Sequence, residues 1–304
     1  MKIVFAGSPY FAVPALEALN KAYGVAAVIT QPDKPICRKR VLTPTFVKRR
    51  ALELGIPVYD FDKIRNHAVE VRALGADIMI TCAYGQILTQ EILDCFKGGV
   101  WNIHASLLPK YRGASPIQAA MLAGETHTGI TVMKTELSLD TGDMLLVEKC
   151  EIGDLTCGYL SEKLSHLGAV AAVKAVEYLK SGQTQLLMQD DSKATYCAKI
   201  SKAQGKIDFS DSSAYIRRLI KAFSPEPAAF CRFNGADLNI FDAEICDIKD
   251  GKVGEVIAAD KRGIAVKCGE GGILITELQP AGGKRMRAAD FVNGRKIKAG
   301  DILE

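Results

Sequence analysis

The sequence lacks the cysteine and histidine spacings that are typical of metal sites and disulfide scaffolds. Its nine cysteines are an odd number and include no CxxC pair, so neither a disulfide framework nor a thiolate zinc site is expected. The four histidines form no HxxxH or HExxH motif that would place two ligands on one helical face. We therefore expect reduced, mostly buried thiols and no bound metal.

Long apolar runs are also missing. The N-terminal apolar run stops at Gly7 and Pro9, where the apolar part of a signal peptide would continue. No other run approaches the roughly 20 residues of a membrane span. These absences predict a cytoplasmic protein without a membrane partner, and the lack of a transit segment favours a bacterial over an organellar origin.

Two further motifs of common enzyme classes are absent. The segment that follows the first predicted strand has Pro9 and Ala12 where a dinucleotide fingerprint needs glycines, so a nicotinamide or flavin cofactor is not expected. No serine or cysteine stands in a GxSxG-like elbow. Direct attack of an amine on a bound acyl donor is therefore favoured over covalent catalysis.

What the sequence does contain is an alternation of short apolar runs with amphipathic stretches over residues 1–150. This pattern predicts an open, mostly parallel, Rossmann-like α/β sheet. The chain turns polar over residues 189–206, which predicts a linker between a first domain of residues 1–188 and a second domain of residues 207–304. We expect strands at residues 3–6, 25–30, 57–59, 77–82 and 100–105, and helices at residues 14–20, 64–74 and 156–180.

The second domain has a different pattern. A helix is expected at residues 212–222, and short β-rich runs follow, separated by turn dipeptides such as Asn234-Gly235. Asn-Gly between apolar runs is a strong hairpin signal. Strands every ~8 to 12 residues predict a small β-barrel that resembles the oligonucleotide-binding (OB) fold.

Positive charge is concentrated in two segments. The formal net charge is only +4, but seven Lys or Arg lie within residues 31–50 against Asp33 alone. Six more lie within residues 284–298 against Asp290 alone. Solvated surfaces explain most such runs, but two clusters could hold a polyanion by releasing its counterions.

Asn102 and His104 stand two residues apart in the strand predicted at residues 100–105. Side chains at this spacing project from one face, and ligands of open α/β sheets bind at the carboxyl ends of the strands. An amide and an imidazole suit acyl transfer, because the oxyanion of the intermediate needs donors and a histidine can also relay a proton. An Asn-x-His pair alone is more often a structural hydrogen-bond pair.

A carboxylate is expected to orient this imidazole. The segment LSLDTGDML offers Asp140 and Asp143 on a tight turn, near the carboxyl edge of the predicted sheet. A carboxylate against the ring would favour its protonated form. The residues alone leave the choice between the two aspartates open, and such a segment is usually no more than a turn.

Together these residues resemble the 10-formyltetrahydrofolate-dependent formyltransferases, whose pattern is Asn-x-His, then SLLP-x-x-RG, then an aspartate before a small residue and a glycine. Arg112 and Gly113 supply the RG pair. The resemblance implies that Asn102, His104 and Asp140 are catalytic, that Asp143 is a neighbour, and that 10-formyltetrahydrofolate is the cosubstrate. It implies folate contacts at Ser106, Leu107, Leu108 and Pro109.

Within this family the likeness extends over nearly the whole chain, through FAGSPYFAVPALEAL, TQPDKP, AKISKAQGKIDFS and LQPAGGKRM. It implies transfer of the formyl group to the amino group of methionine on initiator tRNA, by a monomeric enzyme. The first domain would be catalytic and the second would bind tRNA. The residues implied to contact tRNA are Arg38, Lys39, Arg40, Lys206, Lys284 and Arg285.

Two alternatives stay open. A formyltransferase that acts on an amino sugar nucleotide would share the catalytic residues, although the basic segment and LQPAGGKRM favour tRNA. A noncatalytic RNA-binding protein would be expected to lack at least one of Asn102, His104 and Asp140, and all three are present.

Overall fold

The computed structural model describes residues 1–36, 41–182, 184–294 and 296–304. The chain divides into two units, each drawn from several segments. The first unit comprises Met1–Pro116, His127–Glu151 and Ser161–Cys197. The second unit comprises Ile117–Thr126, Ile152–Leu160 and Ala198–Glu304.

The first two thirds of the chain alternate strands and helices. The strands are β1 (Ile3–Gly7), β2 (Ala27–Thr30), β3 (Lys34–Ile36), β4 (Val41–Thr43), β5 (Val58–Asp60), β6 (Ile78–Cys82), β7 (Val100–His104), β8 (Arg112–Gly113), β9 (His127–Lys134), β10 (Met144–Glu151) and β11 (Tyr196–Cys197). The helices are α1 (Val13–Tyr23), α2 (Phe46–Glu53), α3 (Ala68–Ala73), α4 (Gln90–Leu93), α5 (Pro116–Leu122) and α6 (Cys157–Ser181).

The main sheet has the strand order β10-β9-β7-β6-β1-β2-β5. Strands β7, β6, β1, β2 and β5 are parallel to their neighbours in this series, whereas β9 runs antiparallel to β7 and β10 antiparallel to β9. The prediction of an open, mostly parallel α/β sheet is confirmed. The two antiparallel strands extend the sheet beyond β7, so β7 lies inside the sheet and not at its edge.

The centre of this sheet is apolar throughout. All five residues of β1 and all five of β6 are buried, as expected for parallel strands that are covered on both faces. The direction in which strands are added reverses between β1 and β6, since β2 and β5 lie on one side and β6 and β7 on the other. Ligands of such sheets bind outside the carboxyl ends of the strands at this reversal. The carboxyl end of β7 lies one strand away from it.

Some helices differ from the sequence-based expectation. The helix predicted at residues 64–74 is interrupted at His67, whose φ of −123° is not helical and whose ring stacks on Phe61 with centroids 4.4 Å apart. Helix α2 was not predicted; it begins after Thr45, whose hydroxyl accepts a hydrogen bond from the Lys48 N–H. None of the helices in the described ranges has the length and apolarity needed to cross a membrane.

The second unit is built around an antiparallel sheet. It contains α7 (Ser213–Phe223), β12 (Ala229–Phe233), β13 (Ala236–Cys246), β14 (Val256–Asp260), β15 (Gly263–Lys267), β16 (Gly272–Pro280), β17 (Met286–Arg287) and α8 (Ala288–Asn293). The strand order is β12-β13-β16-β15-β14, with β17 beside β16. Asn234 and Gly235 join β12 to β13 with φ of 50° and 75°. The predicted hairpin is confirmed, because positive φ at both positions is the signature of a type I′ turn.

The C-terminal residues close this sheet into a barrel. Leu303 N–H donates to the Gly254 carbonyl over 2.8 Å, just before β14. Glu304 exchanges two backbone hydrogen bonds with Arg232 of β12, at 2.6 and 2.9 Å. Residues 301–304 therefore connect the two outer strands of the sheet, and the predicted small β-barrel is confirmed.

Candidate active site

Strand β7 places Asn102 and His104 at the carboxyl edge of the main sheet. Asn102 lies opposite Thr81 of β6, whose hydroxyl donates to the Asn102 amide oxygen over 2.8 Å. This bond uses the oxygen and orients the side chain, so the amide NH₂ is the end that remains to donate. An oxyanion donor must present N–H groups in this way, and the catalytic role of Asn102 stays a prediction.

His104 is buried between two oxygen atoms. Its Nε2 lies 3.0 Å from the Tyr111 carbonyl, and its Nδ1 lies 3.6 Å from Oδ2 of Asp140. A carbonyl can only accept, so the first contact requires a proton on Nε2. The second distance is too long for a hydrogen bond but is within ion-pair range. Both nitrogens of the His104 ring thus face oxygen atoms of the protein.

Of the two candidate aspartates, the structure brings Asp140 to His104. Asp140 has a left-handed φ of 51°, and its Oδ2 accepts a hydrogen bond from the Gly113 N–H over 2.8 Å. Asp143 instead lies at the start of the next strand pairing, where its carbonyl accepts from Lys134 N–H over 2.9 Å. The geometry therefore agrees with the choice that the family resemblance implies.

The loop at residues 106–109 is held by a hydroxyl that sequence reasoning missed. Thr131 of β9 donates to the Ser106 carbonyl over 2.7 Å and accepts from the Leu108 N–H over 3.2 Å. The Ser106 hydroxyl is fully buried and donates to the Lys110 carbonyl over 2.6 Å. Ser106 and Thr131 thus fix the shape of the loop. The folate contacts predicted for Ser106, Leu107, Leu108 and Pro109 stay predictions.

Arg112 is the largest fully buried side chain among the described residues. Its Nη2 donates to Oε1 of Gln189 over 2.8 Å and to the Asp191 carboxylate over 2.6 Å, and its Nη1 lies 3.3 Å from the Tyr196 hydroxyl. Burial disfavours the charged guanidinium, but the hydrogen bonds and charges of Asp191 and Tyr196 outweigh it and raise the pKa of Arg112. The guanidinium is therefore a permanent buried cation near the site.

Short strands β8 and β11 bring the polar segment after residue 188 into the site. The two strands are parallel and pair Arg112 with Tyr196 and Gly113 with Cys197. Just before β11, Thr195 accepts a hydrogen bond from the Tyr111 N–H over 2.8 Å. The first part of the predicted linker, residues 189–197, thus contributes to the loop that follows β7.

Three of the cysteines that the structure describes are unsuited to nucleophilic catalysis. The cysteines that the structure describes are all free. Burial raises the pKa of Cys82, Cys157 and Cys231 to about 12, so these thiols stay protonated and unreactive near neutral pH.

The residues predicted to contact tRNA fall into two groups. Arg38, Lys39 and Arg40 lie outside the described residues. Lys206, Lys284 and Arg285 are exposed and belong to the second unit. The guanidinium of Arg285 pairs with both carboxylate oxygens of Glu277, one of them at 2.6 Å, and lies 4.3 Å from the centroid of the Phe241 ring. Much of the charge of Arg285 is therefore balanced within the unit.

Two known protein families match the chain, one in its N-terminal part and one in its C-terminal part. The family profile described as formyl transferase matches residues 1–176. The profile described as the formyl transferase C-terminal domain matches residues 199–296. The first of these spans include Asn102, His104 and Asp140.

The chain is also similar to individual proteins. It is 44% identical, over 309 aligned residues and the full length of both chains, to methionyl-tRNA formyltransferase of Neisseria meningitidis serogroup C. An N-formyltransferase of Helicobacter canadensis, solved with folinic acid and dTDP-3-aminofucose, matches with a TM-score of 0.69 and 20% identity over 90% of this chain and 98% of that one.

HypX of Aquifex aeolicus, solved with tetrahydrofolic acid, matches with a TM-score of 0.66 and 16% identity over 96% of this chain. The present chain spans 47% of the length of HypX. At these identities the two solved structures show a shared fold.

Proposed function

Because the chain belongs to the formyl transferase family, we propose that it transfers a formyl group from 10-formyltetrahydrofolate to the amino group of methionine esterified to initiator tRNA. The observation that carries this proposal is the full-length similarity, at 44% identity, to a methionyl-tRNA formyltransferase. The folate donor is supported by the solved relatives of the same fold that hold folinic acid or tetrahydrofolic acid.

The proposed chemistry is addition of the amine to the formyl group followed by elimination of the folate, without a covalent enzyme intermediate. The neutral methionyl amine attacks the formyl carbon, a new C–N bond forms, and the bond between the formyl carbon and N10 of the folate breaks. The amine loses a proton and N10 gains one. His104 is the group that can relay this proton, since an imidazole is both donor and acceptor near neutral pH.

Asn102 and His104 would stabilise the oxyanion of the tetrahedral intermediate. The amide NH₂ of Asn102 is directed by the bond between its oxygen and Thr81. Both nitrogens of His104 face protein oxygens, so donation to the substrate requires Nε2 to exchange the Tyr111 carbonyl for the oxyanion. Asp140 then orients the ring from its Nδ1 side.

The catalytic assignment is tested by replacing Asn102 or His104 with alanine. Loss of one oxyanion donor costs about 100- to 1,000-fold in kcat. We expect turnover to collapse in both variants, while the dissociation constant for methionyl-tRNA stays near that of the unmodified chain. Near-normal turnover in either variant would contradict the assignment.

The acceptor is tested separately, because the fold is shared with an enzyme solved with dTDP-3-aminofucose. The chain is offered 10-formyltetrahydrofolate together with methionyl-tRNA, free methionine or an amino sugar nucleotide. We expect formylation of methionyl-tRNA alone. Formylation of the sugar nucleotide, with methionyl-tRNA unmodified, would establish the alternative.

We further propose that residues 1–188, together with residues 189–197 of the predicted linker, which reach the site, carry out the chemistry, and that residues 207–304 hold the acceptor arm of the tRNA. Exposed Lys206 and Lys284 support this role, since phosphate contacts provide much of the affinity for nucleic acids. Arg38, Lys39, Arg40 and Arg285 are proposed to add to it. The enzyme would act as a monomer in the bacterial cytoplasm, where translation starts.

A further inference from the structure

Gln189 connects the buried guanidinium of Arg112 to the loop that carries Asp140. Its side chain is more than nine-tenths buried. The single Nε2 of Gln189 donates to two main-chain carbonyls, that of Asp140 over 2.9 Å and that of Gly142 over 2.8 Å. Both hydrogens of the Gln189 amide therefore hold the turn that contains Asp140 and Gly142.

The other end of the same amide is held by Arg112. Oε1 of Gln189 accepts from Nε of Arg112 over 3.1 Å and from Nη2 over 2.8 Å. A charged donor on the amide oxygen polarises the amide, which strengthens the bonds that its NH₂ donates. The two bonds from Arg112 also fix which end of the amide faces the turn.

The bonds form a closed ring around the carboxylate. Gly113, which follows Arg112 in the chain, donates its N–H to Oδ2 of Asp140, while Gln189 holds the Asp140 carbonyl from the other side. Asp140 has a positive φ, a conformation that a residue with a side chain keeps only when its surroundings impose it. The ring provides these surroundings, and the carboxylate that it holds is the one at 3.6 Å from His104.

We propose that Gln189 is a positioning residue for formyl transfer, which acts by holding Asp140 in the orientation that serves His104. This inference rests on the proposed function, because the reaction that its test measures is formyl transfer to methionyl-tRNA. Among the described residues no hydrogen bond joins Gln189 to Asn102 or His104, so its effect passes through Asp140. A loss of Gln189 should then lower kcat more than it raises KM for either substrate.

The test uses two substitutions with different chemistry. Gln189→Glu keeps the oxygen that accepts from Arg112 but presents a second oxygen to the carbonyls of Asp140 and Gly142. Gln189→Met keeps the length and removes both donors without adding charge. Each is measured alone and combined with Asp140→Asn, with kcat, KM for methionyl-tRNA, KM for 10-formyltetrahydrofolate and Tm as readouts. Ser192→Ala is the matched control, since among the described residues its hydroxyl bonds to Asp190 alone, in the same segment.

We expect both Gln189 variants to lose about 10-fold or more in kcat, within the range of couplings seen in one hydrogen-bond network. In the Asp140→Asn background the same substitutions should change kcat by less than about 2-fold, because the group they position is already impaired. Ser192→Ala should resemble the unmodified chain.

Three results would overturn the proposal. They are an unchanged kcat in both Gln189 variants, a loss that multiplies fully with that of Asp140→Asn, and a lowered Tm with normal turnover per folded molecule. A different failure would concern the proposed function alone: the unmodified chain would leave methionyl-tRNA unformylated.

Discussion

The two residues whose oxygens face the ring nitrogens of His104 adopt backbone conformations that are unfavourable for any residue with a side chain. Tyr111 and Asp140 have φ of 61° and 51°, and residues outside glycine that keep such values cost of order 1 to 3 kcal/mol each. Each delivers an oxygen to the imidazole, Tyr111 through its carbonyl and Asp140 through its carboxylate. These two unfavourable backbone conformations thus position the two oxygens that face the ring nitrogens of His104.

At the same scale, Gly113 is a position where no side chain fits. Its φ is 122°, and a Cβ there would lie 2.2 Å from the Cys197 carbonyl oxygen. Gly113→Ala should separate β8 from β11 and displace the N–H that donates to Asp140. We expect a lower Tm and a fall in kcat of at least about 10-fold, from the loss of that oriented carboxylate.

Gly153 offers the matched control for this substitution. Its φ is also positive, at 61°, but no heavy atom lies within 4 Å of the Cβ position. Gly153→Ala should cost only the strain of the backbone conformation, about 1 kcal/mol, with normal kcat. Equal losses of turnover in the two variants would mean that conformational strain, and not the contact with Cys197, explains the effect.

At the scale of elements, the parallel strands were predictable because they are buried on both faces. The apolar runs predicted at residues 3–6, 77–82 and 100–105 each differ from β1, β6 and β7 by one residue at one end and coincide at the other. Helix α2 was missed because it buries only Val47 and Ala51 among its residues, and its cations were assigned to a basic surface segment. A short helix with two buried positions leaves no periodic pattern to detect.

The candidate site was predictable in part for the same kind of reason. Asn102 and His104 share a face of one strand, so local spacing places them together, and the family resemblance selected Asp140. Gln189 could not be found in this way, since it lies 77 residues from Arg112 and 49 from Asp140. It falls in a polar stretch, and a buried glutamine in such a stretch has no local signal. Only the tertiary fold shows its partners.

Strand β9 supports the loop at residues 106–109 through the Thr131 hydroxyl. Thr131→Val keeps the shape of the side chain and removes both of its bonds to the loop, each of which leaves a buried group unpaired at about 1 to 3 kcal/mol. If this loop binds the folate, KM for 10-formyltetrahydrofolate should rise several-fold while KM for methionyl-tRNA stays constant. Steady-state kinetics with each substrate varied in turn will measure this.

The same strand supplies the control. Thr128 is also buried on β9, and its hydroxyl has no hydrogen-bond partner among the described residues. Thr128→Val should therefore leave both KM values unchanged and be neutral or stabilising, because it removes an unpaired buried hydroxyl. If Thr128→Val raised KM for the folate as much as Thr131→Val does, the rise could not be attributed to the lost bonds between Thr131 and the loop.

At the scale of the whole molecule, a net charge of only +4 implies that affinity for a polyanion depends on local clusters. Arg38 lies in the segment that the structure does not describe, and the family resemblance implies a tRNA contact there. Arg38→Glu should raise KM for methionyl-tRNA and lower the slope of log affinity against log salt by about one. The slope is measured by titrating labelled tRNA at several salt concentrations.

Lys97 is a suitable control for this charge reversal. It is exposed and precedes β7, so it lies at the amino edge of the sheet, opposite the carboxyl ends that carry Asn102 and His104. Lys97→Glu changes the net charge by the same amount. A similar loss of tRNA affinity in both variants would attribute the effect to overall charge and not to the segment around Arg38.

The closure of the barrel by residues 301–304 has a consequence for the order of events during synthesis. Leu303 and Glu304 connect the two outer strands of the barrel, through Gly254 just before β14 and Arg232 of β12, and they are synthesised after all the strands that they connect. The second unit also includes Ile117–Thr126 and Ile152–Leu160, which are made much earlier. Domains made first generally fold first, but these two segments must wait until residues 301–304 have been made. The nascent chain therefore carries part of its second unit in an unfinished state until the barrel can close.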